Sequence, residues 1–193
     1  MILFVDTISS PCFLWIFNDK KEIIDEIKFD ITWNESQTLI PNIDKLLKNN
    51  NKNYFDIKNI IIVNWPGSFT WIRTSVLAIN TINFIIKKDI TPISFFELCE
   101  ISFDNLYPII KDSSKRDLFF KKDKNSEIKI LDNSDFLNYL KDNNLNKIYW
   151  DTKLEIENIE KITNIDYKKV LNKIKFEDKK IIKAFYLKKP NIS

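Results

Sequence analysis

The residues of this chain that could do chemistry are few. There is no histidine among its 193 residues. That excludes histidine general bases, Ser-His-Asp triads and HExxH metal sites. The two cysteines, Cys12 and Cys99, are too few and too distant for structural zinc or a redox pair, and read as core thiols of a cytoplasmic chain. Carboxylates remain. A two-metal nuclease needs several that converge, and Asp6, Asp112 and Asp151 are the candidate set. Asp6 closes the apolar run Ile2-Leu3-Phe4-Val5 and is followed by Thr7-Ile8-Ser9-Ser10. A phosphate-cradling loop relies on glycine and exposed amides. This loop has no glycine, and no Walker-type motif occurs elsewhere. Two roles stay open for Asp6: a Mg²⁺ ligand, or the favoured one, a turn or cap acceptor. Arg73 and Arg116 are the only arginines. Arg73 reads either as a salt-bridge donor to a partner or as a cap on its own loop, and Arg116 as an RNA-phosphate contact or a solvated turn.

Composition sets the frame for these groups. Hydrophobic residues make up 44% and charged residues 30%, enough for one substantial core or two small lobes. Met1 opens directly on a strand-like run that Asp6 interrupts, so no secretory leader is expected. No apolar run reaches the length of a membrane span by this reading. Residues 1–100 hold 10 Lys and Arg against 12 Asp and Glu, and the remainder holds 20 against 15. A basic second half could lie near RNA. Its lysines alternate with acids, so a solvated face is the favoured reading. Only one glycine is present, and asparagine is expected to take over its left-handed positions. Asn49-Asn50-Asn51 and Asn143-Asn144 read as helix exits of this kind.

The elements follow in order. Ile2–Asp6, Phe13–Phe17 and Ile23–Phe29 read as strands, the last two joined through Asn18-Asp19 as a hairpin. A helix follows from about Asn34 or Glu35 to Lys48. Asn34 and Gln37 have capping-box spacing, Leu39, Ile43, Leu46 and Leu47 form its apolar stripe, and Pro41 interrupts its backbone bonding. Ile60–Val63 is a β-branched run expected to be covered on both faces. Pro66-Gly67 is a turn in which glycine can take φ > 0, and Ser68 or Thr70 can cap the helix that runs to Ile86. That helix is apolar nearly all round, hence buried nearly all round. One face can cover a sheet while another meets a partner.

Ile90–Phe95 is a strand whose Pro92 places it at an edge or a start, and Phe96–Glu100 begins a short helix. In the second half Leu106–Ile110, Asp117–Lys122 and Glu127–Leu131 read as strands, with a turn at Asp112-Ser113-Ser114. A helix over Ser134–Lys141 is capped by Asn133 or Ser134. Lys147–Trp150 is a short strand. Thr163 or Asn164 caps a helix bearing Tyr167, Val170, Leu171 and Ile174, and Ile181–Leu187 is strand-like. No tandem repeat is visible. A hairpinned meander followed by alternating elements predicts a mixed sheet with helices against it.

Five stretches resemble one family. Ile2-Leu3-Phe4-Val5-Asp6-Thr7 matches an apolar strand ending in Asp-Thr-Ser. Ser36 to Asp44 resembles its helix motif with Leu39, Pro41 and Ile43. Pro66-Gly67-Ser68-Phe69-Thr70 with Ile72-Arg73 matches its most specific motif, Gly-Pro-Gly-Ser-Phe-Thr-Gly-(Leu/Ile)-Arg. Asp112 to Phe120 follows its hairpin, and Tyr186-Leu187-Lys188 with Pro190 its tail. The family is that of TsaB, or YeaZ, the small non-catalytic subunit of the bacterial machinery that places threonylcarbamoyl-adenosine on tRNA. The resemblance implies an α/β fold of the actin-like, ribonuclease-H-like kind. It has a first lobe over 1–100 and a smaller second lobe over 101–193.

It also implies a non-enzyme with no cofactor of its own. Such a subunit binds and activates a TsaD-type catalytic subunit, which carries the metal-binding histidines and the ATP and Mg²⁺ site. A TsaE-type ATPase joins the complex, a homodimer is the alternative pairing, and tRNA contact is indirect or weak. The implied partner surface is Leu39, Ile43, Leu47, Ile72, Arg73, Val76, Ile79 and Asn80. The runner-up reading is a degenerate actin-fold nucleotide-binding kinase or ATPase, and a third is a stand-alone binding module.

Trp65, Trp71 and Trp150 stand where the family has glycine. Two readings stay open. Either the rings fill new apolar contacts, or the source reads a stop-type codon as glycine and the gene has been translated with the wrong table.

Overall fold

The computed structural model describes residues 1–30, 36–149 and 153–185. The chain divides into two units. Unit 1 takes Met1–Phe95 and the chain from Leu171 on, and unit 2 takes Phe96–Val170. The expected lobes, 1–100 and 101–193, therefore need correcting at their far end, because the C-terminal segment returns to the first unit.

In unit 1 the strands are β1 (Ile2–Asp6), β2 (Cys12–Phe17), β3 (Ile23–Phe29), β4 (Asn59–Trp65) and β5 (Asp89–Ser94). They form one sheet in the order β3-β2-β1-β4-β5. β1 runs antiparallel to β2 and parallel to β4, with Val5 opposite Leu14 and Ile62. The hairpin between β2 and β3 is tied by Asn18. Its side-chain oxygen accepts from the Lys20 and Glu22 amides at 2.8 and 3.0 Å, and Lys21 takes the left-handed conformation at φ 62°. β4 lies between two parallel neighbours, and Ile60, Ile61, Ile62 and Val63 are all buried, as a continuous β-branched run requires. β5 is the edge strand of this order, where Pro92 leaves no ladder bond unmade.

Helices α1 (Ser36–Asn49) and α2 (Phe69–Ile86) cover one face of that sheet. Leu3, Val5, Leu14, Ile16, Ile60 and Ile62 meet Leu39, Ile43, Leu46 and Leu47 of α1 and Ile72, Val76, Ile79 and Ile82 of α2 in one core. α1 contains Pro41 in its interior. Of the proposed capping-box pair, Asn34 lies outside the described residues, as does the Gln37 side chain. A capping box does occur at the 3-10 turn Tyr54–Asp56, where the Asn53 oxygen accepts from Phe55 at 2.8 Å and Asp56 accepts from the Asn53 amide at 2.8 Å. Asn51 leaves α1 at φ 53°, and Asn144 leaves a helix of unit 2 at φ 50°, so asparagine does supply these left-handed exits. α2 ends on Lys87, at φ 55°, whose amide donates to the Asn83 carbonyl at 2.8 Å.

α2 is also long and apolar enough to cross a membrane, by length and composition alone, which corrects the expectation that no such run exists. Its inner side chains instead enter the core of unit 1.

Tyr54 packs beside α1, half-buried against the core. Burial first, then the charge and hydrogen bond of Asp44, push its hydroxyl from 10 up to about 12. A folded-state pKa raised in this way stabilises the fold fully below the unfolded value and loses that contribution as pH rises through the folded one. Stability is therefore expected to fall between pH 10 and about 12. Thermal denaturation of Tyr54→Phe across that window should show a shallower fall, and an unchanged slope would contradict the assignment.

Unit 2 repeats the sheet of unit 1. Its strands are β6 (Ile109–Asp112), β7 (Asp117–Lys121), β8 (Lys129–Asp132), β9 (Lys147–Tyr149) and β10 (Glu160–Ile162). Their order is β10-β9-β6-β7-β8. β6 is antiparallel to β7 and parallel to β9, β7 is antiparallel to β8, and β9 is parallel to β10. This is the topology of β1 to β5, strand for strand, so the chain is built from two copies of one supersecondary pattern. Helix α3 (Phe95–Ser102) precedes β6, α4 (Asn133–Asp142) follows β8 as α1 follows β3, and α5 (Tyr167–Lys173) follows β10.

The second copy is reduced where the first has α2. Among the described residues no helix joins β9 to β10. Leu154, Ile156 and Ile159 from irregular chain pack instead against the core of Ile110, Leu118, Phe120, Phe136, Leu140 and Ile148. The cap of α4 is Asp132, whose side chain accepts from Asp135 at 2.8 Å. It is therefore neither Asn133 nor Ser134. At α5, Asp166 accepts from the Lys169 amide at 2.9 Å in place of Thr163 or Asn164. β10 is a strand that periodicity does not reveal. Trp150, placed by sequence at the end of β9, lies outside the described residues.

Candidate functional site

The parallel strands β1 and β4 end side by side, and the ligand crevice of an open α/β sheet lies at such strand ends. Two loops occupy this end, Thr7–Pro11 after β1 and Pro66–Ser68 between β4 and α2. Asp6 is fully buried. Its Oδ1 accepts from the Ile8 and Ser9 amides at 3.1 and 3.0 Å, and its Oδ2 accepts from the Ser9 hydroxyl at 2.7 Å. This is the turn role, with the carboxylate turned onto its own loop. The Cys12 thiol closes the same loop, donating to the Thr7 and Ser9 carbonyls at 3.4 and 3.3 Å. Thr7 and Ser75 hydroxyls meet at 2.5 Å, and Ser75 donates to the Trp71 carbonyl at 2.8 Å, which ties the β1 loop to the first turns of α2.

Asp112 ends β6, the position in unit 2 that Asp6 holds in unit 1. Its Oδ2 accepts from the Lys153 amide at 3.0 Å. Asp151 lies outside the described residues. Among the described residues no group of three or more His, Cys, Asp or Glu could hold a metal ion.

The motif turn differs from its sequence expectation. Gly67 does not take φ > 0. It is required for space: a Cβ there would stand 2.8 Å from Cγ2 and 3.0 Å from Cβ of Ile8. Those atoms are the branch point of the Ile8 side chain, so they yield only if the loop moves. Gly67→Ala is expected to destabilise unit 1 by about 1–3 kcal/mol, the cost of overpacking. Ile8→Ala in the same chain should restore most of it in urea titration. Gly67→Asn should be no better tolerated than alanine, whereas a left-handed turn would favour asparagine. Rescue failing in the double variant would contradict the steric account.

Ser68 stands at the N-cap, but its side chain makes no cap bond; its carbonyl accepts from Ile72 at 3.0 Å. Pro66 is buried, Phe69 is half-buried, and Thr70 is exposed. Arg73 lays its guanidinium over the Phe69 ring at 5.2 Å, and Arg116 sits exposed in the β6–β7 turn.

Trp65 is half-buried and meets Phe185 edge-to-face at 5.1 Å. Trp71 is half-buried in the first turn of α2, and neither residue takes φ > 0. A mass spectrum of the 65–71 segment from the native source separates the two readings. Two tryptophans support new apolar packing, and two glycines support recoding. Trp150 lies outside the described residues.

The surface expected from sequence is largely an interior. Leu39, Ile43, Leu47, Ile72, Val76 and Ile79 are all buried in the core of unit 1, so they cannot meet a partner without opening it. Asn80 is half-buried and engaged with the C-terminal segment, exchanging bonds with the Ile182 backbone at 2.8 and 3.0 Å. Arg73 alone of the eight is exposed. The apolar side chains that α2 does present are Leu77, Phe84 and Ile85, which are 69%, 83% and 64% exposed. With Arg73 and Thr81 they follow i, i+4, i+8, i+11 and i+12 spacing, a single helix face. Sequence reasoning missed them because the opposite faces are equally apolar. The spacing itself was there to be read.

No protein-family model matches the chain, and no curated protein does. Solved structures do match. YeaZ from Pseudomonas aeruginosa superposes with a TM-score of 0.52 at 15% identity, over 67% of this chain and 63% of that one. A second structure, titled as an uncharacterized protein with similarity to peptidase YEAZ from the same organism, gives 0.52 and 15% over 67% and 62%. The matched region spans under two thirds of the length of these relatives. The Tyr186-Leu187-Lys188 tail and the Ser36-Gln37 side chains fall outside the described residues and add nothing to the comparison. In fold, the chain is a pair of mixed-sheet units with flanking helices, similar to YeaZ of Pseudomonas aeruginosa.

Proposed function

We propose that this chain is a non-catalytic subunit of the tRNA N6-threonylcarbamoyladenosine modification complex. In this reading it binds and activates a TsaD-type catalytic subunit in the cytoplasm, with a TsaE-type ATPase in the same assembly. The observation that carries the reading is the outer face of α2. Leu77, Phe84 and Ile85 stand in solvent on a helix that opens on the Pro66–Thr70 turn, in a fold similar to that of YeaZ. A stripe of this kind on a helix is suited to helix-against-helix docking.

The actin-like ancestry of the two repeated sheets belongs to the same proposal, as does the assignment of ATP and Mg²⁺ to the partner. Asp6, the group best placed to hold a cation, already accepts three hydrogen bonds from its own loop, which supports a scaffold over the kinase or ATPase alternative. Co-purification with a histidine-bearing catalytic paralogue tests the proposal. Capture of that paralogue, with faster threonylcarbamoyl transfer when this chain is added, is the expected result. Phosphoryl transfer by this chain alone would overturn it.

A further inference from the structure

The segment that sequence reads as a strand over Ile181–Leu187 is not one within its described part. The chain just before it makes a single bridge, between Ile90 and Lys179, in which the Ile90 amide donates to the Lys179 carbonyl at 2.8 Å. The rest of its bonding comes from side chains. The Thr91 hydroxyl accepts from the Glu177 amide at 3.0 Å. Asn83 donates to the Lys180 carbonyl at 2.9 Å. Asn80 both donates to the Ile182 carbonyl at 2.8 Å and accepts from the Ile182 amide at 3.0 Å. Asn64 reaches the Lys183 carbonyl at 3.5 Å. Lys180 pairs with Asp89.

Asn80 and Asn83 are one turn apart on α2, and they meet backbone groups two residues apart on a segment running the opposite way. The two amides thus stand in for the edge of a sheet. They touch main chain only. Of the side chains over 177–185, Ile182 alone is buried, Ala184 is half-buried, and Phe185 leans on Trp65. A segment with few buried apolar contacts opens at lower free energy than the body it lies on.

We infer that Lys179–Ala184 is a releasable strap, latched to α2 through Asn80, that opens while the sheet of unit 1 stays folded. A cavity of about 360 Å³ is lined by Asn80, Thr81 and Phe84 of α2 and by Lys180 and Ile181 of the strap. Two of its five lining residues belong to the strap, so release of the latch removes that side of it. Release also takes Ile182 out of the core. The strap is therefore a device that makes and unmakes the apolar surface beside Phe84. The inference stands independently of any partner for that surface.

Hydrogen exchange read by mass spectrometry on the full chain tests it. Alanine is the best helix former, so Asn80→Ala leaves α2 intact and removes both bonds to Ile182. Exchange of peptides containing Ile182 should rise about 10- to 100-fold, as loss of two hydrogen bonds dictates, while β4 peptides over Ile60–Val63 keep their protection. Trypsin should cut sooner at Lys179, Lys180 and Lys183. Asn80→Asp, which keeps the acceptor and loses the donor, should give an intermediate rate. Thr81→Ala, beside the latch but bonded only to the Leu77 carbonyl, should leave the strap seated. Unchanged exchange in Asn80→Ala, equal acceleration in Thr81→Ala, or loss of β4 protection in step with the strap would each overturn the inference.

Discussion

Asp6→Ala is expected to lower the stability of unit 1 by about 3–5 kcal/mol, a large share of the roughly 5–15 kcal/mol that holds an ordinary domain together. The carboxylate is buried and receives two amides and a hydroxyl. Alanine removes every acceptor at once and leaves the donors of Ile8 and Ser9 in a loop that water reaches poorly, and an unsatisfied buried donor costs more than a bond's net worth. Asp6→Asn keeps one oxygen, and the Ser9 hydroxyl can turn to accept from the new amide, so its loss should be about half as large. Urea titration followed by tryptophan fluorescence reads both variants. An unchanged midpoint for the alanine variant would mean that Asp6 does not organise the loop, and would reopen its reading as a cation ligand.

A second large effect separates the interior of α2 from its surface. Ile72 is 1% exposed in the core of unit 1, and Phe84 is 83% exposed. Ile72→Asp buries a carboxylate without a partner, and is expected to cost more than about 4 kcal/mol and to unfold unit 1. Phe84→Asp changes only a solvated side chain, and its stability should stay within about 0.5 kcal/mol of the parent. Loss of partner binding in Ile72→Asp would therefore report unfolding, whereas the same loss in Phe84→Asp would report the surface. Circular dichroism and thermal melts of both variants check the contrast. A folded Ile72→Asp chain would contradict the packing of α2.

Much of unit 1 is legible in the sequence because its signals are local. The run Ile60–Val63 has no polar face and becomes a strand buried on both sides. Pro92 cannot donate and lies on an edge. Asn51 and Asn144 take the left-handed exits that glycine would otherwise hold. The misses come from relations between distant residues. Nothing near Gly67 shows that Ile8 fills the space above it, so a steric requirement reads as a conformational one. Every face of α2 is apolar, so its sequence does not say which face the sheet takes. The stripe of Ile72, Val76 and Ile79, read from sequence as a surface, is the one that faces the sheet.

The caps shift by one to three residues, to Asp132 and Asp166, because several acceptors stand together at each helix start. β10 is three residues, Glu160-Lys161-Ile162, too short for alternation to register. The segment over Lys179–Ala184 is held by side-chain amides of α2 and by one bridge to β5, so the strand reading of Ile181–Leu187 meets little strand pairing in its described part. The repeated five-strand pattern is a matter of pairing order, which composition and periodicity do not carry, and it is blurred further by Leu154–Ile159 replacing the helix that unit 1 has at α2.

The outer face of α2 is proposed to dock a catalytic subunit. The most direct test is the affinity of the wild-type chain and of Phe84→Asp for a purified histidine-bearing catalytic paralogue, measured by titration calorimetry beside a melt of each protein. The account predicts binding by the wild type and loss of that binding in Phe84→Asp at an unchanged melting temperature. Equal binding by both chains, or none by the wild type, would contradict it.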